Sequence, residues 1–142
     1  MKQKLRSCFL LLLISKIAFG TTYFIAPEGS DANVGTIGSP FANIQFAVNK
    51  ALPSDVIYLR GGTYKTTTQI NITPANSGTS TAPIRLWAYN NEKPLLDFSG
   101  QSLVSVGGAS LLRGFVITGD YWHLKGFEIY ATADNGIKLE GN

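Results

Sequence analysis

The chain has 142 residues, 44% of them hydrophobic and only 15% charged, with one histidine, one cysteine and a formal charge of +3. That length suits one domain, and a single cysteine excludes an internal disulfide framework. The positive balance is local: four of the twelve Lys and Arg lie in the first twenty residues, after which eight basic residues stand against nine acidic ones, a balance of −1, so no nucleic-acid partner is expected.

Residues 1–20 read as a secretory signal peptide. Lys2, Lys4 and Arg6 precede an apolar run over residues 9–14, and Ala18-Phe19-Gly20 places small residues where a signal peptidase reads. A transmembrane anchor needs about 20 apolar residues, more than twice this run, and Lys16 follows it closely. Export to the extracellular space or periplasm is expected, with no membrane association once the signal is removed. Cys8 lies before the apolar run rather than at the cleavage point, which makes it a poor lipidation site. The rest of the chain, residues 21–142, carries no cysteine, so its stability is expected to come from a packed core.

A short strand is predicted over residues 23–26, followed by the turn-rich stretch PEGSDANVGTIGSP, in which Gly29, Asp31, Asn33, Gly35 and Gly38 favour turns. An acidic, Asn- and Gly-rich loop invites a calcium reading. The EF-hand spacing with its closing glutamate is absent, however, and an ordered loop is expected instead. A helix is predicted over residues 41–52, with Ser39 as its cap, Pro40 at its first position, and Phe41, Ile44, Val48, Ala51 and Leu52 at helical spacing.

After Pro53 the apolar period changes from helical to two. Strands are predicted over residues 56–60, 70–72, 84–89, 95–98, 103–106 and 115–117, with turns at Gly61-Gly62, at residues 76–79 and at Gly107-Gly108. In residues 84–89 alternation sends Ile84, Leu86 and Ala88 inward and Arg85, Trp87 and Tyr89 outward. Outward aromatics on such a scaffold can stack on sugar rings, although packing beneath a neighbouring loop is the favoured reading.

The closing stretch, YWHLKGFEIYATADNGIKLEGN, holds three alternating runs: Trp122 and Leu124, Phe127 and Ile129, Ile137 and Leu139. The gaps between them leave no room for crossover helices, so consecutive strands must turn corners around an axis. A parallel β-helix does this, with apolar side chains inside each coil and backbone bonds to the coils above and below. The amphipathic segment is then expected to lie across the open end of the first coil. Because a solenoid needs stacked repeats and caps at both ends, the chain is read as the N-terminal cap and first coils of a longer protein, truncated at its C-terminus and inactive alone.

No nucleophile signature, phosphate loop, zinc-ligand cluster or dinucleotide fingerprint is present after residue 20. His123 falls on the outward side with Tyr121 and Lys125, without a neighbouring carboxylate, and is read as surface. Lys125 and Lys138 lie beside Glu128 and Glu140, pairings that keep an ammonium charged and unsuited to act as a base. Asp134-Asn135-Gly136 is first a turn; a stack of such turns can gather carboxylates around a cation, but one carboxylate is not a site. No catalytic, cofactor-binding or metal-ligating residue is assigned.

Four runs, GSDANVGTIGSPFANIQFAV, DVIYLRGGTY, SGTSTAPIRLWAYNNEKPLLDFSG and the closing 22 residues, together resemble the N-terminal part of pectate lyases of polysaccharide lyase family nine. The order KPLLDFSG then YWHLKGFEI is the more specific part. The resemblance implies an all-β fold, a right-handed parallel β-helix with an N-terminal capping helix. It also implies β-elimination on polygalacturonate, an acidic plant polysaccharide, by a monomeric protein. Calcium on an aspartate cluster would offset the uronate charge and a lysine would take the ring proton, both lying in coils after residue 142. Asp134 receives no ligand role from it. Related β-helix lyases acting on alginate or a glycosaminoglycan share GGTYK and SGTSTAPI, and a non-catalytic glycan-binding or adhesive β-helix is the third alternative.

Overall fold

A computed structural model describes residues 19–103 and 111–141. Ten short strands and one α-helix are present among them: β1 (Thr22–Ile25), α1 (Ile44–Lys50), β2 (Val56–Leu59), β3 (Gly62–Lys65), β4 (Ile70–Ile72), β5 (Ile84–Ala88), β6 (Pro94–Asp97), β7 (Phe115–Ile117), β8 (Trp122–Lys125), β9 (Glu128–Tyr130) and β10 (Ile137–Leu139). Every ladder between them is parallel. The strands form three sheets, ordered β1-β2-β5-β8, β3-β6-β9 and β4-β7-β10, so each sheet takes one strand from each successive coil. This is the right-handed parallel β-helix.

Register turns the period-two pattern into interior columns. Tyr23, Ile57, Leu86 and Leu124 share one register position, Tyr64, Leu96 and Ile129 a second, and Ile70, Phe115 and Ile137 a third. Ile57, Leu86, Leu96 and Phe115 are fully buried. Parallel neighbours stand about 4.8 Å apart, so like-shaped residues at one register position pack directly on each other. Ile137 and Leu139 of the last coil occupy inward positions yet remain 44% and 74% exposed, with no coil stacked on them.

The first turn is built differently. Only β1 is a strand there, and the loop from Pro27 to Phe41 and helix α1 stand where the other two strands would be. The helix is shorter than residues 41–52: Asn43, not Ser39, is its cap, accepting from the Phe46 N–H at 3.2 Å, and Lys50 is its last residue. Phe41 is held extended beside β1, donating its N–H to Phe24 O and accepting from Ala26 N, both at 2.9 Å, which removes it from the helix. Its ring is buried against Tyr23 and Phe46. Gly35 belongs to this packing, with φ of 81° and a position where a Cβ would lie 2.5 Å from the Phe41 ring.

Helix α1 buries Ile44, Ala47 and Val48 and covers the end of the first coil as the sequence implies. The polar fit was not legible beforehand. β4 is an edge strand, and Gln45 completes it: Nε2 donates to Asn71 O at 2.9 Å and Oε1 accepts from Asn71 N at 2.6 Å. One side chain thus supplies the two bonds that a missing strand would make.

Other differences are small except at one place. Gly62, expected in a turn, begins β3, which sequence reasoning missed because Gly62-Thr63-Tyr64-Lys65 has a single apolar side chain. Tyr64 fills the interior, and its hydroxyl lies 2.8 Å from Ile25 O and 2.7 Å from Arg60 O. The strand expected over residues 103–106 and the turn at Gly107-Gly108 fall outside the described residues, apart from Leu103, which is in no strand. The signal peptide expected over residues 1–20 lies outside them too, except residues 19 and 20. No helix among the described residues is long and apolar enough to cross a membrane.

Two substitutions test this architecture by chemical denaturation. Leu86→Ala should cost about 3 kcal/mol because it opens a cavity between two coils. Gln45→Ala should cost about 1–2 kcal/mol by leaving Asn71 N–H and C=O without partners. A Gln45→Ala midpoint equal to the parent's would show that the helix covers the coil without completing its edge.

Candidate functional site

The outward face of the β1-β2-β5-β8 sheet brings half-buried aromatic rings and two cations together. One register row carries Phe24, Tyr58, Trp87 and Lys125, and the next carries Thr22, Val56, Arg85 and His123. Tyr89, just past β5, stands edge-on to both Phe24 and Tyr58, with centroids 5.3 and 5.4 Å away, while Phe24 and Tyr58 stack at 5.5 Å. Tyr89 is therefore consumed by packing, as the sequence reading favoured. Trp87 is different. Its contacts are cations, with Arg85 Cζ 5.6 Å and Lys125 Nζ 5.7 Å from its ring centroid.

Beside Trp87 lies an open groove of about 440 Å³ lined by Tyr58, Trp87, Asn90, Asn91, Glu92 and Lys125, among others. Its one carboxylate is neutralised. Arg60 Nε donates to both Glu92 oxygens at 3.0 and 2.9 Å, and Gly61 N donates to Oε2 at 2.5 Å. The hydrogen bonds from Arg60 and then from Gly61 hold the Glu92 carboxyl below its ordinary value. Arg60 in turn lies over the Tyr89 ring at 5.4 Å.

Of the other carboxylates singled out by the sequence, Asp31 serves the backbone and Asp134 and Glu140 pair with cations. Asp31, in the loop that invited a calcium reading, accepts from Ala42 N and Asn43 N at 3.0 and 2.9 Å and anchors the start of the helix. Asp134 pairs with Arg113 at 3.0 Å. Asp55 is buried, accepting from Thr21 N through Oδ1 and from Leu52 N through Oδ2 at 2.6 and 2.8 Å. Lys138 pairs with Glu140, whose carboxyl it holds below its ordinary value. Lys125, expected beside Glu128, points instead to Trp87, because alternation and the turn at Gly126 separate the two side chains. His123 is exposed on the outer face.

Among the described residues no three His, Cys, Asp or Glu side chains gather into a metal site. Asp31, Asp55, Asp134 and Glu92 already satisfy donors within the chain. A second groove, of about 350 Å³ between α1 and β3, is lined by Asp31, Asn43, Gln45, Lys65, Thr66 and Gln69 among others. It brings no acid and base into hydrogen-bonding distance.

Residues 23–142 match the family profile described as "Pel9A-like, right handed beta helix region". The chain belongs to the Pel9A-like β-helix family. Among similar proteins, a pectate lyase L of Paenibacillus polymyxa is 40% identical over 126 residues, which cover 89% of this chain and 26% of that protein. Pectate lyase PEL9 of Emericella nidulans is 47% identical over 74 residues, covering 52% of this chain and 18% of the relative. Among solved structures, pectate lyase Pel9A superposes with a TM-score of 0.68 at 28% identity, covering 89% of this chain and 32% of that one. A rhamnogalacturonan lyase superposes with a TM-score of 0.64 at 32% identity over 78% of this chain and 28% of the other. This Pel9A-like chain thus spans about a quarter of the length of the Paenibacillus relative.

The Arg60–Glu92 contact should be visible in acid titration. A carboxyl whose folded value is depressed contributes stability fully above its unfolded value, ordinarily 4.5, and loses that contribution as pH falls through the folded value. Glu92→Gln should be less stable than the parent at neutral pH, by at most about 1 kcal/mol since the pair is partly solvated. The gap between the two should close on acidification. A gap that persists unchanged at low pH would show that Glu92 acts through packing alone.

Proposed function

We propose that the whole protein is a secreted, monomeric lyase that cleaves polygalacturonate by calcium-dependent β-elimination. The observation that carries this reading is the family match across residues 23–142, joined to relatives that are pectate lyases. The coils described here supply the cap and the stacked scaffold. In this reading the proton-abstracting base and the calcium ligands lie outside the described residues, among which no three His, Cys, Asp or Glu side chains gather. Elimination suits an acidic sugar because the proton next to a carboxylate becomes removable once the negative charge there is offset. A lysine base requires the neutral amine, and with an unperturbed pKa of about 10.4 it favours alkaline conditions.

A second reading, cleavage of rhamnogalacturonan, is favoured by the structural match to a rhamnogalacturonan lyase. Both are tested together. The intact protein should raise ultraviolet absorbance with polygalacturonate at alkaline pH, through the double bond formed at the new chain end. It should lose that activity to a chelator and regain it with calcium. An absorbance rise only with rhamnogalacturonan would transfer the assignment to the second reading. Chain scission without a double bond would replace elimination by hydrolysis with paired carboxylates.

A further inference from the structure

We propose that the groove beside Trp87 is a binding subsite for uronic-acid oligosaccharides, with the indole as platform and Lys125 as the carboxylate's partner. Three observations converge on this surface. Trp87 is half-buried and presents its ring beside an open groove, unlike Tyr89, Tyr58 and Phe24, which pack on one another. Two cations, Arg85 and Lys125, lie over that ring at 5.6 and 5.7 Å from its centroid, and neither forms an ion pair with an acidic side chain among the described residues. The lone acid in the groove, Glu92, is already neutralised by Arg60, so the surface is left with uncompensated positive charge.

The chemistry selects an anionic sugar over other occupants. The C–H face of a pyranose is flat and apolar and matches an indole face, while its ring hydroxyls require amide partners of the kind Asn90 and Asn91 place at the rim. A uronate lying on Trp87 has its carboxylate within reach of Nζ, which lies 5.7 Å from the ring centroid. The volume, about 440 Å³, falls within the range of about 300–1,000 Å³ usual for small-ligand sites. An extended peptide is disfavoured because peptides that join a sheet do so through a free strand edge, and β2 and β5 are paired on both sides. Lys125 is exposed, so its contribution is modest and weakens with salt.

The test places a local probe at the site in the intact protein. Fluorotryptophan is incorporated, the Trp87 fluorine resonance is assigned by its loss in Trp87→Phe, and trigalacturonate or galactotriose is titrated in buffer containing a chelator. Trigalacturonate should move the Trp87 resonance at lower concentration than galactotriose does. Lys125→Gln should raise the trigalacturonate half-saturation about threefold to fivefold and leave the galactotriose titration unchanged. The Trp122 resonance serves as internal reference, since its Nε1 donates to Asn76 O at 2.7 Å on the other side of the strand. A Trp87 resonance unmoved by either sugar, moved equally by both, or titrating identically in Lys125→Gln would overturn the proposal. Polymer cleavage is a separate readout, so failure there leaves this result interpretable, and the reverse holds as well.

Discussion

The constraint on which the rest of this structure depends is the parallel register that stacks like positions of successive coils. In such a ladder each strand's backbone groups are satisfied by the coils on either side. An inward residue meets the same position of the next coil about 4.8 Å away. The column Tyr23, Ile57, Leu86 and Leu124 therefore works as one packing unit, although its members are scattered along the sequence. The same register fixes the outside. Phe24, Tyr58, Trp87 and Lys125 share one row because their inward neighbours share a column.

A stack has ends, and at the first end of this one polar side chains take up backbone groups that have no strand to pair with. Helix α1 covers the apolar interior, but a helix cannot hydrogen-bond to a strand edge, so Gln45 reaches across to Asn71. Asp55 collects the N–H groups of Thr21 and Leu52, and Asp31 those of Ala42 and Asn43. Each carboxylate accepts from two backbone N–H groups, Asp55 in the interior and Asp31 on the exposed surface. The same logic separates acids that resemble ligands in the sequence from acids that are free to bind a cation.

How far this was legible follows from what period and spacing encode. Strands with two or more inward apolar residues, such as Ile57 and Leu59 or Ile70 and Ile72, declare themselves by alternation. β3 does not, because Tyr64 is its one interior side chain and Gly62 reads as a turn. The helix was recognisable, but its start was placed too early because Phe41 falls at helical spacing while its backbone is claimed by β1. The site was less legible still. Trp87 was visible as an outward aromatic, but Arg85 and Lys125 become its neighbours through alternation on one strand and register with another. Glu92 is bound by Arg60 from an adjacent coil, which no local motif records.

Native-state hydrogen exchange tests the stacking claim most directly. If successive coils share one cooperative core, the backbone amides of Ile57, Leu59 and Leu86 should be among the slowest, exchanging only through global unfolding. Those of the exposed stretch around Asn33 to Ser39 should exchange through local opening. The contrary result would be β2 and β5 amides exchanging as fast as that loop while α1 stays protected. Stability would then reside in the cap, and the columns of inward side chains would be its passengers.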